Sequence, residues 1–175
     1  MPMIKEFKIH VSNEKVDYLK KKIELTRWPD EINDKNWSHG TSLSFLKKLS
    51  KHWLNDFNWR HHEQKLNDIG SYKFKSKSGL NIHFLHSKSN KTDGTPLLLT
   101  HGWPGSIQEF LKIIPILQNQ SPVPLNIVCP SLPGFGFSDK PTKSGMNSEE
   151  IAKIQHELMI ELGYKKYVVQ GGDWG

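Results

Sequence analysis

Three short apolar runs, "TPLLLT" at 95–100, "LNIVCP" at 125–130 and "KYVVQ" at 166–170, alternate with stretches of helical pattern. Runs this short and continuous suit strands covered on both faces. Their alternation with helices predicts an α/β layer with a largely parallel sheet. "SIQEFLKIIPIL" predicts a helix after the first run, and "SEEIAKIQHELMIELGY" an amphipathic helix closed by Gly163 before the third. Upstream, "YKFKSKSGLNIHFLHS" predicts two strands joined at Ser78-Gly79, with Tyr72 and Phe74, then Ile82 and Phe84, alternating against polar residues. "KSNKTDG" and the longer "SLPGFGFSDKPTKSGMN" read as loops.

The first seventy residues read as helical. From Asn13 as N-cap, Val16, Leu19, Ile23 and Leu25 form a rough apolar stripe that Pro29 ends. A polar connection, "DEINDKNWSHG", leads to Leu43, Leu46, Leu49, Trp53, Leu54 and Phe57 at helical spacing. A third helix is expected from Trp59 to Leu66. The domain reading is residues 1–70 helical and 71–175 a strand-bearing core. No repeat or low-complexity tract is visible.

Composition narrows the class. Only 35% of residues are hydrophobic, yet six Trp, eight Phe and four Tyr supply large anchors for a core. The +6 charge is scattered among acids. Its densest points, Lys20 to Lys22, Lys47 with Lys48, and Lys73, Lys75 and Lys77, read as solvated faces, so no nucleic-acid partner is expected. The single cysteine, Cys129, excludes an internal disulfide framework and reads as strand filler. No apolar run approaches a membrane span and no signal peptide or anchor is visible; the expectation is a cytoplasmic protein or one peripheral to an intracellular membrane.

Two turns carry chemistry. After the third strand come Gly171, Gly172, Asp173, Trp174 and Gly175. A sharp strand-to-helix turn of this kind lifts one side chain above the sheet edge, as a nucleophile elbow does. Here that residue is an acid, which can open an electrophilic sp³ carbon and leave an ester. Gly-Gly-Asp also occurs in ordinary turns, and that reading stays open for the motif alone. The first strand ends in His101-Gly102-Trp103-Pro104-Gly105, a tight turn that suits a cis Trp103-Pro104 bond and N–H groups facing an oxyanion. Two such turns at strand carboxyl ends suit a single cleft over the sheet.

Taken together, "FKIHVSNEKVDYLKKKIELTRWPDE", "NWSHGTSLSFLKKLSKHWLNDFNWRHHEQKLN", "GLNIHFLH", "PLLLTHGWPGSIQEFLKIIPIL", "PSLPGFGFSDKP" and "YVVQGGDWG" resemble the N-terminal part of an epoxide hydrolase. The branch is the one similar to microsomal and juvenile-hormone epoxide hydrolases. The resemblance implies an α/β fold, a helical N-terminal segment followed by the first half of an α/β-hydrolase sheet. It implies Asp173 as nucleophile toward a small epoxide, with water hydrolysing the ester to a vicinal diol. Trp103 and Trp174 would give oxyanion-hole N–H groups, while His101, Gly102, Pro104, Gly105, Gly171, Gly172 and Gly175 shape the turns. Pro133, Gly134 and Phe135 would form a second wall of the cleft; Ser138 and Asp139 are assigned no proton transfer. No metal or organic cofactor is implied.

Ester hydrolysis needs a general base near neutral pKa. In the family this is a histidine with an acidic partner, and two lid tyrosines attend the alkoxide. None of His10, His39, His52, His61, His62, His83, His86 and His156 matches that base, and structural or surface roles are expected for each. Adjacent His61 and His62 beside Glu63 lack the i,i+4 spacing of a helical metal pair. The expectation is therefore a fragment of a longer hydrolase, inactive alone and with an exposed last strand. A haloalkane dehalogenase-like hydrolase and a non-catalytic truncated product stay open as alternatives. Asp173 at the nucleophile position disfavours a serine esterase. The identity of the epoxide and the oligomeric state are not specified by these residues.

Overall fold

The computed structural model describes residues 3–32, 37–90 and 93–175. Residues 33–36 of the first polar connection and 91–92 of the later loop, both read as loop, lie outside the described residues. The chain divides into a unit of Met1–Ile9 with Lys65–Gly175 and a unit of His10–Gln64.

The first unit is built on six strands: β1 (Ile4–Glu6), β2 (Ser71–Lys75), β3 (Asn81–Ser87), β4 (Thr95–Thr100), β5 (Leu125–Pro130) and β6 (Val168–Gly171), in the order β1-β2-β3-β5-β4-β6. The β4–β5 and β4–β6 pairs are parallel; β1–β2, β2–β3 and β3–β5 are antiparallel. The sheet is thus mixed rather than largely parallel. The reason is local: β2 and β3 are joined by five residues, too few for the crossover that parallel strands require. β1 also lies within the stretch read as helical. Its three residues carry no periodic signal, and pairing with β2 (Ile4 opposite Phe74) defines it.

Crossover helices follow where the strands are parallel. The run after β4 does not form one helix. A 3₁₀ turn at Ile107–Phe110 is followed by α4 at Ile113–Gln120. Restarting after Lys112 puts Pro115 in the first turn of α4, where its missing N–H has no intrahelical acceptor to lose. The longer helix, α5 (Ser148–Glu161), starts at Asn147, whose side chain accepts from the Glu150 N–H. Its end is a Schellman cap. Gly163 takes φ +86° and donates to Ile160 O at 2.9 Å, while Tyr164 N–H donates to Met159 O at 2.9 Å.

The core forms where α5 meets the sheet. Ile154, Leu158 and Met159 pack with Phe74, Ile82, Phe84, Leu98 and Val128, all nearly sealed from solvent. The strand period of two supplies this face: Phe74 lies opposite Ile82, and Tyr72, stacked on Phe84, opposite that residue. Cys129 is buried in β5, and burial pushes its thiol pKa up, away from nucleophilic character.

A buried polar knot ties β3 to the loop after β5. The His83 ring bonds Ser71 Oγ through Nε2 at 3.0 Å and Ser131 Oγ through Nδ1 at 2.9 Å. His83 N–H donates to Ser138 Oγ, which donates in turn to Ser131 O. Asp139 accepts both the Asn81 N–H and its side-chain amide. Ser138 and Asp139 thus pin the loop to β3.

The second unit contains α1 (Asn13–Glu24), α2 (Leu43–Asn55) and the start of α3 (Trp59–Ile69). Ser12, not Asn13, is the N-cap of α1, its side chain accepting from Lys15 N–H, and Asn13 opens the helix. The helix ends at Glu24, well before Pro29, and leaves Leu25 exposed. Ser42 caps α2 in the same way. Glu63, whose sequence neighbours His61 and His62 lack metal-pair spacing, is buried and accepts from Val11 N–H, Trp59 Nε1 and Arg60 Nη1. Burial alone raises its pKa, but these donors outweigh it and hold the carboxyl below its usual range. Among the described residues no helix is long and apolar enough to cross a membrane.

Candidate active site

β4 and β6 are neighbours and run parallel, so their carboxyl ends deliver two turns to one edge of the sheet. β4 leads into His101–Gly105, with a cis Trp103-Pro104 bond, and β6 into Gly172–Gly175. Together they bound a cleft of about 370 Å³ lined by Thr100, Gly102, Trp103, Pro104, Gly105, Glu109, Phe110, Gln170, Gly172 and Asp173. A larger groove, about 1010 Å³, lies in the helical unit between α1, α2 and the start of α3. It is mostly apolar and brings no convergent polar groups together, so size is a poor guide here; such groups mark the smaller cleft.

Asp173 sits at the apex of its turn with φ +59°, a left-handed conformation uncommon for a non-glycine residue. The following Gly175 N–H closes the turn on Gly172 O at 2.9 Å. Space between the turns is minimal. A Cβ on Gly102 would lie 2.6 Å from Asp173 Cβ, and one on Gly175 would overlap Thr100 O. Only glycine at these points lets the turns approach.

That approach makes the main polar contact of the cleft. Trp103 N–H donates to Asp173 Oδ1 at 2.8 Å. Hydrogen bonds from the Trp103 and Trp174 N–H groups, in that order of effect, hold the Asp173 carboxyl below the usual carboxylate range. Both indole rings are exposed, so it is their main-chain N–H groups that engage the acid. No histidine lines the cleft among the described residues.

His101 lies beneath the turn, fully buried. Nδ1 donates to Gly102 O at 2.9 Å and Nε2 accepts from Leu132 N–H at 3.1 Å. Both ring nitrogens are thus engaged by main-chain groups. The ring also meets Phe135 edge-on, at 5.4 Å between centroids. None of Pro133, Gly134 and Phe135 is among the residues that line this cleft. Gly134 turns the loop with φ +86°, its N–H donating to Asp139 O.

One lining carboxylate was not singled out from the sequence. Glu109 accepts from Ser106 N–H at 3.1 Å, completing a capping box at the start of the 3₁₀ turn. Its signal was present as Ser106 followed three residues later by Glu109. The same carboxylate crowds Gly105, where a Cβ would overlap Glu109 Oε1.

Comparison with known proteins agrees with this geometry. Residues 4–110 match the family described as epoxide hydrolase N terminus, and residues 95–175 match the alpha/beta hydrolase fold. Epoxide hydrolase 1 of Sus scrofa is 39% identical over 98% of this chain and 40% of its own length. Juvenile hormone epoxide hydrolase 1 of Ctenocephalides felis is 38% identical, over 98% of this chain and 38% of its own. The crystal structure of juvenile hormone epoxide hydrolase from the silkworm Bombyx mori superposes with a TM-score of 0.88 at 38% identity, covering 98% of this chain and 47% of that one. The chain spans about 40% of the length of the curated relatives it matches. With the family matched over residues 4–110 and both turns in place at the ends of parallel strands, the chain belongs to the epoxide hydrolase family, on the α/β-hydrolase fold.

Proposed function

We propose that the protein is an epoxide hydrolase in which Asp173 is the nucleophile. The observation that carries this reading is the Trp103 N–H on Asp173 Oδ1 at 2.8 Å. It fixes one carboxylate oxygen and leaves Oδ2 free to attack. Oδ2 forms a bond to an oxirane carbon as the ring C–O bond breaks, and the ring oxygen takes up a proton. The product is an alkyl ester whose carbonyl oxygen, Oδ1, already rests against the Trp103 N–H. Water then adds to the ester carbonyl and charge develops on Oδ1. Cleavage of the acyl C–O bond releases a vicinal diol and restores the carboxylate.

Main-chain donors suit this second step because they are fixed before charge appears. Loss of one such donor typically costs ~10²–10³ in rate. The residues at this cleft supply the nucleophile and the oxyanion donors; the base that activates water and the donor to the alkoxide are not among them. The substrate class is a small or lipophilic epoxide, and water is the second reactant. The match of residues 4–110 to the epoxide hydrolase N terminus favours an epoxide over an alkyl halide as electrophile.

Asp173→Asn, assayed on the natural protein with an aryl or alkyl epoxide, should abolish diol formation while leaving the fold intact by circular dichroism. Diol formation at the wild-type rate in that variant would overturn the assignment.

A further inference from the structure

The two bonds made by His101 have a geometric consequence. Gly102 C=O and Trp103 N–H belong to one peptide unit, and in a trans peptide they point in opposite directions. His101 Nδ1–H holds the carbonyl end at 2.9 Å, while the N–H end reaches Asp173 Oδ1 at 2.8 Å. The plane of this peptide is therefore held from both sides. We propose that His101 is a positioning residue that clamps the Gly102–Trp103 peptide, keeping the Trp103 N–H aimed at Asp173 Oδ1.

The ring is itself well anchored. Nε2 accepts from Leu132 N–H at 3.1 Å, on the loop that follows β5, and Phe135 closes the edge. That loop is in turn pinned through Ser131 to His83 and through Ser138 to the β3 backbone. A carbonyl that accepts a hydrogen bond also polarises its own peptide, which strengthens the N–H as a donor. His101 thus acts twice, by orientation and by polarisation, without touching the substrate. Glycine at 102 adds to the need for a clamp, because it leaves the peptide conformationally free.

This inference rests on the reading of Asp173 as nucleophile and of the Trp103 N–H as an oxyanion donor. Two substitutions separate the bonds. Asn places a side-chain N–H near the Nδ1 position and keeps the donor to Gly102 O. Gln reaches the Nε2 position, keeping an acceptor for Leu132 N–H, and loses the donor. The natural protein and each variant are mixed with an epoxide and quenched, and the Asp173 ester is followed by intact-protein mass spectrometry. His101→Gln should slow ester hydrolysis by about ten- to a hundredfold, so that the ester accumulates; His101→Asn should restore hydrolysis to within about threefold of the parent.

The second readout needs no turnover: the amide proton and nitrogen shifts of Trp103 in the NMR spectrum. They should move in His101→Gln and stay near the parent values in His101→Asn. Equal ester lifetimes in the two variants, with the Trp103 shifts equal as well, would overturn the clamp. If the parent itself never carries an ester, the nucleophile assignment fails, and the Trp103 shifts alone decide whether His101 holds the peptide.

Discussion

At the scale of single residues, histidines divide by what surrounds them. His101 is held by two backbone bonds, and His83 and His86 are buried in polar pockets of the sheet unit. Burial first, then Lys73, pushes the His83 pKa down to about 3; burial and then Lys88 push His86 down to about 4. Both stay neutral in the folded state, whereas an unfolded histidine titrates near 6.5. Stability is then complete above about pH 6.5 and is lost as pH falls toward the folded pKa values, because the unfolded chain binds more protons. The expected slope is about 1.4 kcal/mol per pH unit for each histidine in that window. Urea unfolding at pH 7.5, 6 and 5 measures it; a midpoint that does not fall below pH 6.5 would contradict the burial argument. From sequence alone, His83 and His86 are expected in structural roles because neither matches the family base. The sequence did not show that His83 bridges two serines 12 and 48 residues away, since only the folded register brings those together.

At the scale of elements, the turns are the informative parts. Both turns of the candidate site were legible because their glycines and proline are local requirements, and so was the closure of α5 by Gly163. Gly163→Ala would force a left-handed conformation on a residue with a Cβ, at a cost of about 1 kcal/mol by thermal or chemical unfolding. An unchanged midpoint would mean the cap tolerates the strain. Gly102→Ala has a different signature: its Cβ would push on Asp173 rather than on the core. Ester formation should fall by about tenfold or more while the unfolding midpoint shifts little. A lowered unfolding midpoint with normal ester formation would place Gly102 in the scaffold instead. What sequence reading missed among elements has local causes as well. β1 is too short to carry a period. The helix break before Pro115 follows from an N–H that proline lacks, and the N-cap at Ser12 lies one residue from the expected one.

At the scale of the whole molecule, alternation of strands and helices revealed the α/β class, but strand direction depended on connection length. The five-residue link of β2 to β3 and the pairing of β3 with β5 make the sheet mixed, and periodicity alone does not report either. The cleft was legible as two turns at strand ends, because adjacent parallel strands must place their following loops together. Contact between the turns was not legible: the 2.8 Å bond from Trp103 to Asp173 spans 70 residues. Nor was the contact of Phe135, which the family resemblance assigns to a second cleft wall, with the ring of His101.

The central claim is that Asp173 forms and then loses an ester, and one labelling experiment addresses it directly. A single turnover of epoxide in H₂¹⁸O, with the natural protein in excess, fixes where the water oxygen goes. The account predicts unlabelled diol and one ¹⁸O in the peptide that contains Asp173, because water adds to the ester carbonyl and the diol keeps an oxygen from the carboxylate. Labelled diol with an unlabelled Asp173 peptide would mean that water attacks the epoxide itself, and would contradict the account.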